Sequence, residues 1–172
     1  MKKVIFLSGI HGVGKGFISK RIEKEINIPI YEASKLICLN GGLIDKDKKV
    51  KNVNGNQDLL INSINNLVEH DIFILDGHTC LINNENCIES IDIDIFRRIN
   101  VIGIVLVYDD INIISERLYK RDNIHFDKLL LDNLQKFEIL NTEKLSEELR
   151  VPLLSFKNGD DIKRLINFIK DL

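Results

Sequence analysis

Short apolar runs alternate along the chain with longer segments in which apolar residues recur every three or four positions. Apolar runs that predict buried strands lie at 4–7, 28–31, 72–75, 101–108 and 151–156, and the longest of them, 101–108, predicts the central strand. Segments that predict helices lie at 15–26, 32–37, 57–70, 126–149 and 160–172, with a further helix from Ile111. The polar segment 83–94 predicts a loop that leads into a short helix ending near Arg98. This alternation favours a doubly wound α/β fold with a parallel five-stranded sheet flanked by helices.

Glycines cluster directly behind the first predicted strand, in the sequence Gly-Ile-His-Gly-Val-Gly-Lys-Gly at 9–16, called the glycine loop below. A strand, a glycine-rich turn and a helix in this order are the context of a phosphate-binding loop. Gly9, Gly12 and Gly14 allow successive backbone N–H groups to turn toward an anion, and Lys15 adds a positive charge. The N-terminus of the following helix attracts phosphate as well. The spacing G-x-x-x-x-G-K is complete, but Gly16 lacks the hydroxyl that Ser or Thr normally supplies to Mg²⁺.

A carboxylate follows the third predicted strand. Asp76 ends a buried apolar run, so a parallel sheet delivers it to the carboxyl edge beside the glycine loop. Its expected role is to hold a water molecule of the Mg²⁺ shell, since this ion keeps several waters and is commonly held by one or two carboxylates. The alternative is an aspartate that only ends the strand as a turn residue.

The glycine loop, with a second glycine after the lysine, resembles the loop of adenylate kinases and related nucleoside monophosphate kinases. The sequence Asp76-Gly77-His78 resembles a set of small, adenylate-kinase-like P-loop ATPases. Phe17 departs from the kinase pattern, which usually has Thr there. The resemblance implies ATP and Mg²⁺ as cofactors. The residues that it assigns to ATP are Gly9, His11, Gly12, Val13, Gly14, Lys15, Gly16, Phe17 and Asn158, with an exposed loop histidine as the alternative for His11.

The same resemblance implies an acceptor pocket over about 32–70. Ser34 is then the hydroxyl that meets the acceptor, and Gln57 reads a base edge with its amide. A plain helix start and helix capping are the respective alternatives. His78 contacts the acceptor phosphate or orients Asp76, unless it merely packs under a loop. The polar loop 40–56 is long for a compact domain, which favours a flap over the acceptor site.

Two arginines share one face of the helix predicted from Ile111. Arg117 and Arg121 are four positions apart, and planar guanidinium groups suit the negative charge that spreads over a migrating phosphoryl group. The segment resembles the start of the adenylate kinase lid, which implies a short lid over about 115–127. A solvated helix face is the alternative. Asp109 and Asp110 are predicted to cap this helix rather than to act as a catalytic pair.

Composition narrows the classes of partner. A chain of 172 residues suits one domain, 1–172. With 24 basic and 26 acidic residues, the net charge of −2 produces no field that attracts nucleic acid or an anionic membrane. The three cysteines lack metal-ligand or redox spacing, which is typical of reduced thiols in the cytoplasm. The N-terminal apolar run is too short for a signal peptide or membrane span, so a cytoplasmic location is expected. The oligomeric state is not indicated.

These features favour ATP- and Mg²⁺-dependent phosphoryl transfer to a small acceptor, with a nucleoside monophosphate as the first choice. Lys15, Asp76, Arg117 and Arg121 are the predicted catalytic residues. The alternative is a slowly hydrolysing ATP switch that acts with a protein or nucleic-acid partner, which Phe17 and the missing loop hydroxyl favour. A kinase for a nucleoside, sugar or other hydroxyl is a third interpretation. It needs a base near the acceptor, for which Asp76 or His78 is available.

Overall fold

The computed structural model describes residues 2–41, 53–83, 87–123 and 125–172, with the backbone alone at 53–55. The strands are β1 (Lys3–Ser8), β2 (Ile30–Glu32), β3 (Ile72–Asp76), β4 (Cys80–Ile82), β5 (Ile88–Ser90), β6 (Val101–Tyr108) and β7 (Leu153–Lys157). The helices are α1 (Lys15–Glu25), α2 (Ala33–Leu39), α3 (Val53–Leu67), α4 (Ile93–Arg98), α5 (Ile111–Asp122), α6 (Lys128–Leu149) and α7 (Ile162–Lys170). Residues 42–52 of the predicted flap lie outside the described residues.

Five strands form one parallel sheet in the order β2-β3-β1-β6-β7. Helices flank this sheet, which confirms the predicted doubly wound α/β fold class. The prediction that 101–108 is the central strand is wrong, because β1 takes the middle position and β6 lies beside it. The apolar run of β6 is long because the strand is buried almost throughout. Burial on both faces, and not a central position, produces such a run.

The chain reverses its direction across the sheet at β1. From β1 it passes to β2 and β3 on one side, and then crosses to β6 and β7 on the other. In the β1–β3 pair Leu7 lies opposite Asp76, so both strands end at the same edge. Open α/β sheets bind ligands in the crevice at such a reversal. The glycine loop and Asp76 therefore lie together at the edge where a ligand site is expected.

An antiparallel hairpin of β4 and β5 stands apart from the main sheet. The predicted loop over 83–94 is therefore wrong for Ile88–Ser90, whereas α4 ends at Arg98 as predicted. Each strand of the hairpin has three residues, which is too few to show a period-two pattern.

The core occupies both faces of the sheet. Along β1, Val4 and Phe6 belong to one apolar cluster, while Ile5 and Leu7 belong to the other. This division follows from the alternation of side chains along a strand. The cluster of Ile5 and Leu7 includes residues of α1, α5 and α7, and that of Val4 and Phe6 includes residues of α2, α3 and α4. Because β1 is packed on both faces, the glycine loop begins at the end of a buried strand.

Candidate active site

The glycine loop turns sharply between β1 and α1. Gly9, Gly12 and Gly14 have φ values of 148°, 80° and 105°, a region that L side chains rarely adopt. Gly14 is the N-cap of α1, and no side chain caps this helix terminus. Backbone N–H groups at an uncapped helix start are suited to an anion. The loop therefore has the conformation and the polarity that a phosphate group requires.

Lys15 folds back over the loop at its centre. Its side chain is 8% exposed, and Nζ donates to the Gly9 carbonyl oxygen. Nζ also lies 3.5 Å from Asp76 Oδ1 and 3.4 Å from His78 Nδ1. Because an ammonium group has donors and no acceptor, His78 Nδ1 accepts in this contact. A buried positive charge thus links the glycine loop to the residues after β3.

The Asp76 carboxylate is buried at the end of β3, with a side chain that is 15% exposed. Burial raises its pKa above the ordinary value, and the nearby Lys15 ammonium opposes that rise. Glu32, which lies opposite Asp76 in the β2–β3 pairing, adds to the rise through its negative charge. Two carboxylates therefore meet at the end of adjacent strands.

A cavity of about 520 Å³ opens above this edge of the sheet. One side, called the phosphate side below, is formed by the glycine loop, Asp76, His78 and α5. The other side, called the apolar side, is formed by Phe6 and by residues of β2, α2, α3, α4 and the β5–α4 connection. The predicted site residues that line the cavity are His11, Gly12, Gly14, Lys15, Gly16, Phe17, Ser34, Gln57, Asp76, His78, Arg117 and Arg121.

Three predicted site residues lie outside the lining of this cavity. Gly9 donates its N–H to the Glu138 carboxylate at 3.1 Å, and Val13 is fully buried. Asn158 Nδ2 donates to the Val13 carbonyl oxygen at 3.1 Å, so Asn158 supports the backbone of the glycine loop. Its contact with adenine stays a prediction.

The arginines of α5 line the cavity, but each is held by an aspartate. Arg117 donates to Asp109 Oδ2 at 2.8 Å and to the Val13 carbonyl oxygen at 3.1 Å. Arg121 makes two hydrogen bonds to the carboxylate of Asp122, at 2.8 and 2.7 Å. The prediction that Asp109 caps α5 is wrong, because Asp110 accepts from the Asn112 N–H and occupies the N-cap. Asp109 is instead buried and positions Arg117.

Gln57 and Ser34 lie on the apolar side. Gln57 is 7% exposed and sits within α3, which begins at Val53, so the alternative role of Gln57 as a helix cap is wrong. No hydrogen bond among the described residues uses its amide, which lines the cavity. Ser34 lies in the first turn of α2 and lines the same side.

The sequence analysis missed Glu138, a fully buried carboxylate of α6. It accepts hydrogen bonds from the Ser8 hydroxyl and from the backbone N–H groups of Gly9, Thr79 and Cys80. These residues begin the glycine loop and follow Asp76, so one side chain joins the two segments that build the site. The sequence signal was the spacing of three or four residues along α6, which places two polar residues on the same face as the leucines. The buried residues of this helix are Leu131, Leu134, Glu138, Thr142 and Leu145.

Glu32 was missed as well, although it lines the cavity. Its Oε1 accepts a hydrogen bond from Lys35 Nζ at 2.7 Å, and its side chain is 48% exposed. The available signal was the same as for Asp76, namely a carboxylate directly at the end of a short apolar run.

The residues of the phosphate side fit a magnesium nucleotide. Among the described residues, no cluster of three or more His, Cys, Asp or Glu side chains is arranged to hold a metal ion. Mg²⁺ does not require one, since it is bound by one or two carboxylates together with waters and substrate phosphates. Asp76 supplies such a carboxylate next to Lys15. In the part of the chain that the structure describes, no helix is both long and apolar enough to cross a membrane.

These features define a P-loop protein. The glycine loop has the G-x-x-x-x-G-K spacing and lies at the strand reversal, and an aspartate ends the adjacent strand, in a parallel sheet of the kind found in small kinases. The chain belongs to the AAA domain family, whose sequence pattern matches residues 8–135. No curated protein matches the sequence significantly.

Solved structures share the fold over nearly the whole chain. Shikimate kinase from Acinetobacter baumannii, in complex with shikimate, superposes with a TM-score of 0.58 at 15% identity, covering 99% of this chain and 92% of that one. A gluconokinase from Sinorhizobium meliloti 1021 gives a TM-score of 0.53 at 11% identity, with coverage of 96% and 87%. The protein TT1252 from Thermus thermophilus gives 0.56 at 10% identity, with coverage of 99% and 97%. At these identities the likeness shows the fold alone, and it confirms the predicted P-loop kinase architecture.

Replacement of Glu138 by alanine is expected to lower the free energy of unfolding by about 3–5 kcal/mol, because buried N–H groups at Gly9, Thr79 and Cys80 lose their acceptor. Urea denaturation followed by circular dichroism measures this loss. The matched control is Glu143→Ala on the exposed face of the same helix, expected to change stability by less than about 0.5 kcal/mol. Equal stability of the two variants would show that Glu138 does not hold the loop.

Two glycines of the loop are expected to respond oppositely to alanine. A Cβ at Gly14 would lie 2.3 Å from Asn158 Nδ2 at a positive φ, so Gly14→Ala should destabilise the protein by about 1–3 kcal/mol. At Gly16 a Cβ meets nothing within 4 Å and the residue is helical, so Gly16→Ala should be neutral or slightly stabilising. Thermal melts compare the pair, and a more stable Gly14→Ala variant would contradict the loop conformation.

Cys80 is expected to resist alkylation. Burial and the neighbouring Glu138 carboxylate raise the pKa of its thiol far above the ordinary value. The thiol therefore stays protonated as the pH rises from 7 to about 9, while exposed thiols become reactive thiolates. Iodoacetamide at pH 9 should modify Cys38 and Cys87, which are exposed, and reach Cys80 only in denaturant. Peptide mass mapping checks this order, and rapid labelling of native Cys80 would contradict it.

Proposed function

We propose that the protein transfers the γ-phosphoryl group of ATP to a small acceptor in a reaction that requires Mg²⁺. The observation that carries this proposal is the convergence of Lys15, Asp76, Arg117 and Arg121 on one cavity at the strand reversal. The family match and the structures titled shikimate kinase and gluconokinase support it at the level of fold. A cytoplasmic location and the single domain 1–172 remain predictions.

The charged groups of the phosphate side have separate roles in this proposal. Lys15 and the backbone N–H groups of the glycine loop hold the β and γ phosphates. Asp76 would hold Mg²⁺ through water, and the bound ion would supply positive charge next to the phosphate oxygens. Arg117 and Arg121, released in part from Asp109 and Asp122, stabilise the transferring group. The rate enhancement then comes chiefly from positioning and charge stabilisation.

The resemblance to nucleoside monophosphate kinases makes a nucleoside monophosphate the first acceptor class to test. Support comes from Ser34 and Gln57, which line the apolar side of the same cavity. The short lid over about 115–127 includes the end of α5, where Arg121 lies half exposed. Residue 124 lies outside the described part of this segment.

A slowly hydrolysing ATP switch is the second candidate. The observation that favours it is the glycine loop itself, in which Gly16 lacks a hydroxyl and Phe17 is 60% exposed at the cavity. An exposed aromatic ring at this position is suited to a partner surface as well as to a nucleotide. A kinase forms ADP only when its acceptor is present, whereas the switch forms ADP from ATP without an acceptor.

Lys15→Met is expected to lower the rate of ADP formation by about 100-fold or more, because it removes the charge that meets the phosphates and keeps the length of the side chain. Activity is measured with ATP, Mg²⁺ and a panel of small acceptors, and the heat of ATP binding is measured by calorimetry. Lys20→Ala, an exposed lysine of the same helix, should match the wild type. Unchanged ATP binding and turnover in Lys15→Met would overturn the proposal.

A further inference from the structure

The two arginines that line the cavity are held by aspartates in different surroundings. Arg117 is paired with Asp109, whose side chain is 2% exposed. Arg121 is paired with Asp122, whose side chain is 25% exposed. Removing the partner of a buried charge is costly, because the charge that stays behind is neither solvated nor paired. An ion pair nearer the surface contributes little to stability, so a stronger partner replaces it at little cost. The pair at Asp109 is therefore suited to a fixed position, and the pair at Asp122 to a temporary one.

Asp109 is itself fixed by contacts with two helices. Its Oδ1 accepts a hydrogen bond from the Asp110 N–H at 2.9 Å, at the start of α5. Its backbone N–H and carbonyl oxygen bond to the two ends of the Gln135 amide of α6, at 3.1 and 3.0 Å. Arg117 Nη1 donates to Oδ2 of this carboxylate at 2.8 Å and to the Val13 carbonyl oxygen at 3.1 Å. Asp109 therefore places Arg117 against the glycine loop by one nitrogen atom of the guanidinium group.

Asp122 occupies a position where a helix disfavours a carboxylate. It is the last residue of α5, and Asn123 follows as the C-cap with a φ of 55°. The C-terminus of a helix carries partial negative charge, which favours cations and opposes an aspartate. The Nε and Nη2 groups of Arg121 bond to the two oxygens of this carboxylate, at 2.8 and 2.7 Å. The stability of α5 therefore gives no reason for Asp122, whereas its contact with Arg121 does.

The two arginines differ in the edge of the guanidinium group that the aspartate uses. The Nε–Nη2 edge presents two parallel N–H groups, which fit two oxygens of a phosphate as they fit a carboxylate. In Arg121 this edge is bonded to Asp122. In Arg117 the Nε and Nη2 groups make no hydrogen bond to any residue that the structure describes, because Nη1 makes both of its contacts. Asp122 therefore competes with a phosphoryl group for its arginine, and Asp109 does not.

We propose that the two aspartates act on phosphoryl transfer in opposite senses. Asp109 is a positioning residue that holds Arg117 with the Nε–Nη2 edge open to the γ phosphate of ATP. Asp122 is a resting counter-ion that occupies the same edge of Arg121 until the γ phosphate displaces it. This inference rests on the proposed function and adds a division of roles between the two arginines. Loss of the charge at Asp109 impairs the transfer, and loss of the charge at Asp122 favours binding of the γ phosphate.

Asp122→Asn tests the exchange through the binding of two nucleotides. Calorimetry with Mg²⁺ compares adenylyl imidodiphosphate, which has a γ phosphate, with ADP, which lacks one. The variant should bind the imidodiphosphate about threefold or more tightly than the wild type, because the γ phosphate no longer competes with a carboxylate. Its Kd for ADP should change less than about twofold, and in an Arg121→Ala background the substitution should bring no gain.

The matched control for this exchange is Asp94→Asn. Asp94 forms an exposed ion pair with Arg97 outside the cavity lining, so both Kd values should stay those of the wild type. Equal or weaker binding of the imidodiphosphate by Asp122→Asn would overturn the role of Asp122.

Asp109→Asn tests positioning through a double-mutant cycle on ADP formation with ATP, Mg²⁺ and the acceptor panel. The kcat should fall about tenfold or more, while the KM for ATP changes less than about threefold. In an Arg117→Ala background the same substitution should cause no further loss of kcat. If Asp109→Asn does not fold, Gln135→Ala takes its place, since it keeps the carboxylate and removes the amide that fixes Asp109. A loss that persists in the Arg117→Ala background would show that Asp109 does not act through this arginine.

The wild type provides the baseline that separates this inference from the proposed function. If it binds neither nucleotide and forms no ADP with any acceptor of the panel, both fail. If it binds both nucleotides and turns over ATP, but Asp122→Asn and Asp109→Asn both weaken binding of the imidodiphosphate, the inference alone is overturned.

Discussion

The buried carboxylate of Glu138 is the contact on which the candidate site depends. It joins the start of the glycine loop, through Ser8 and Gly9, to the segment after Asp76, through Thr79 and Cys80. A buried charge is costly unless hydrogen bonds satisfy it, and here the backbone N–H groups of both segments do so. Glu138 therefore fixes the start of the glycine loop relative to the segment that follows Asp76.

The geometry of the site follows from the relative placement of these two segments. Lys15 lies 3.5 Å from Asp76 because β1 and β3 end side by side, with Leu7 opposite Asp76. Behind the loop, Arg117 and Asn158 both donate to the carbonyl oxygen of Val13. The backbone that would receive a phosphate is thus fixed from several elements, which is the preorganisation that the proposed phosphoryl transfer requires.

Local sequence patterns were sufficient to predict the fold class and the position of the glycine loop. The strand before Gly9 and the one that ends at Asp76 were predictable, because short apolar runs next to glycine or aspartate have few alternative structures. Glu138 and Glu32 left only weak signals in the sequence, namely a polar residue on the core face of α6 and a carboxylate at the end of a short apolar run. Their partners lie 129 positions away in the chain for Glu138 and Gly9, and across a strand pair for Glu32 and Asp76, so only the fold shows what these residues contact. Both Asp109 and Asp110 were predicted to cap α5, and this is correct for Asp110 alone, since only the fold shows that Asp109 accepts a hydrogen bond from Arg117.

A crystal structure with Mg²⁺ and a non-hydrolysable ATP analogue tests the account most directly. The β and γ phosphates should lie within hydrogen-bonding distance of the N–H groups of the glycine loop, with Lys15 Nζ moved from the Gly9 carbonyl oxygen to a phosphate oxygen and the metal next to Asp76. A nucleotide bound elsewhere, with Lys15 still on the Gly9 carbonyl oxygen, would contradict it.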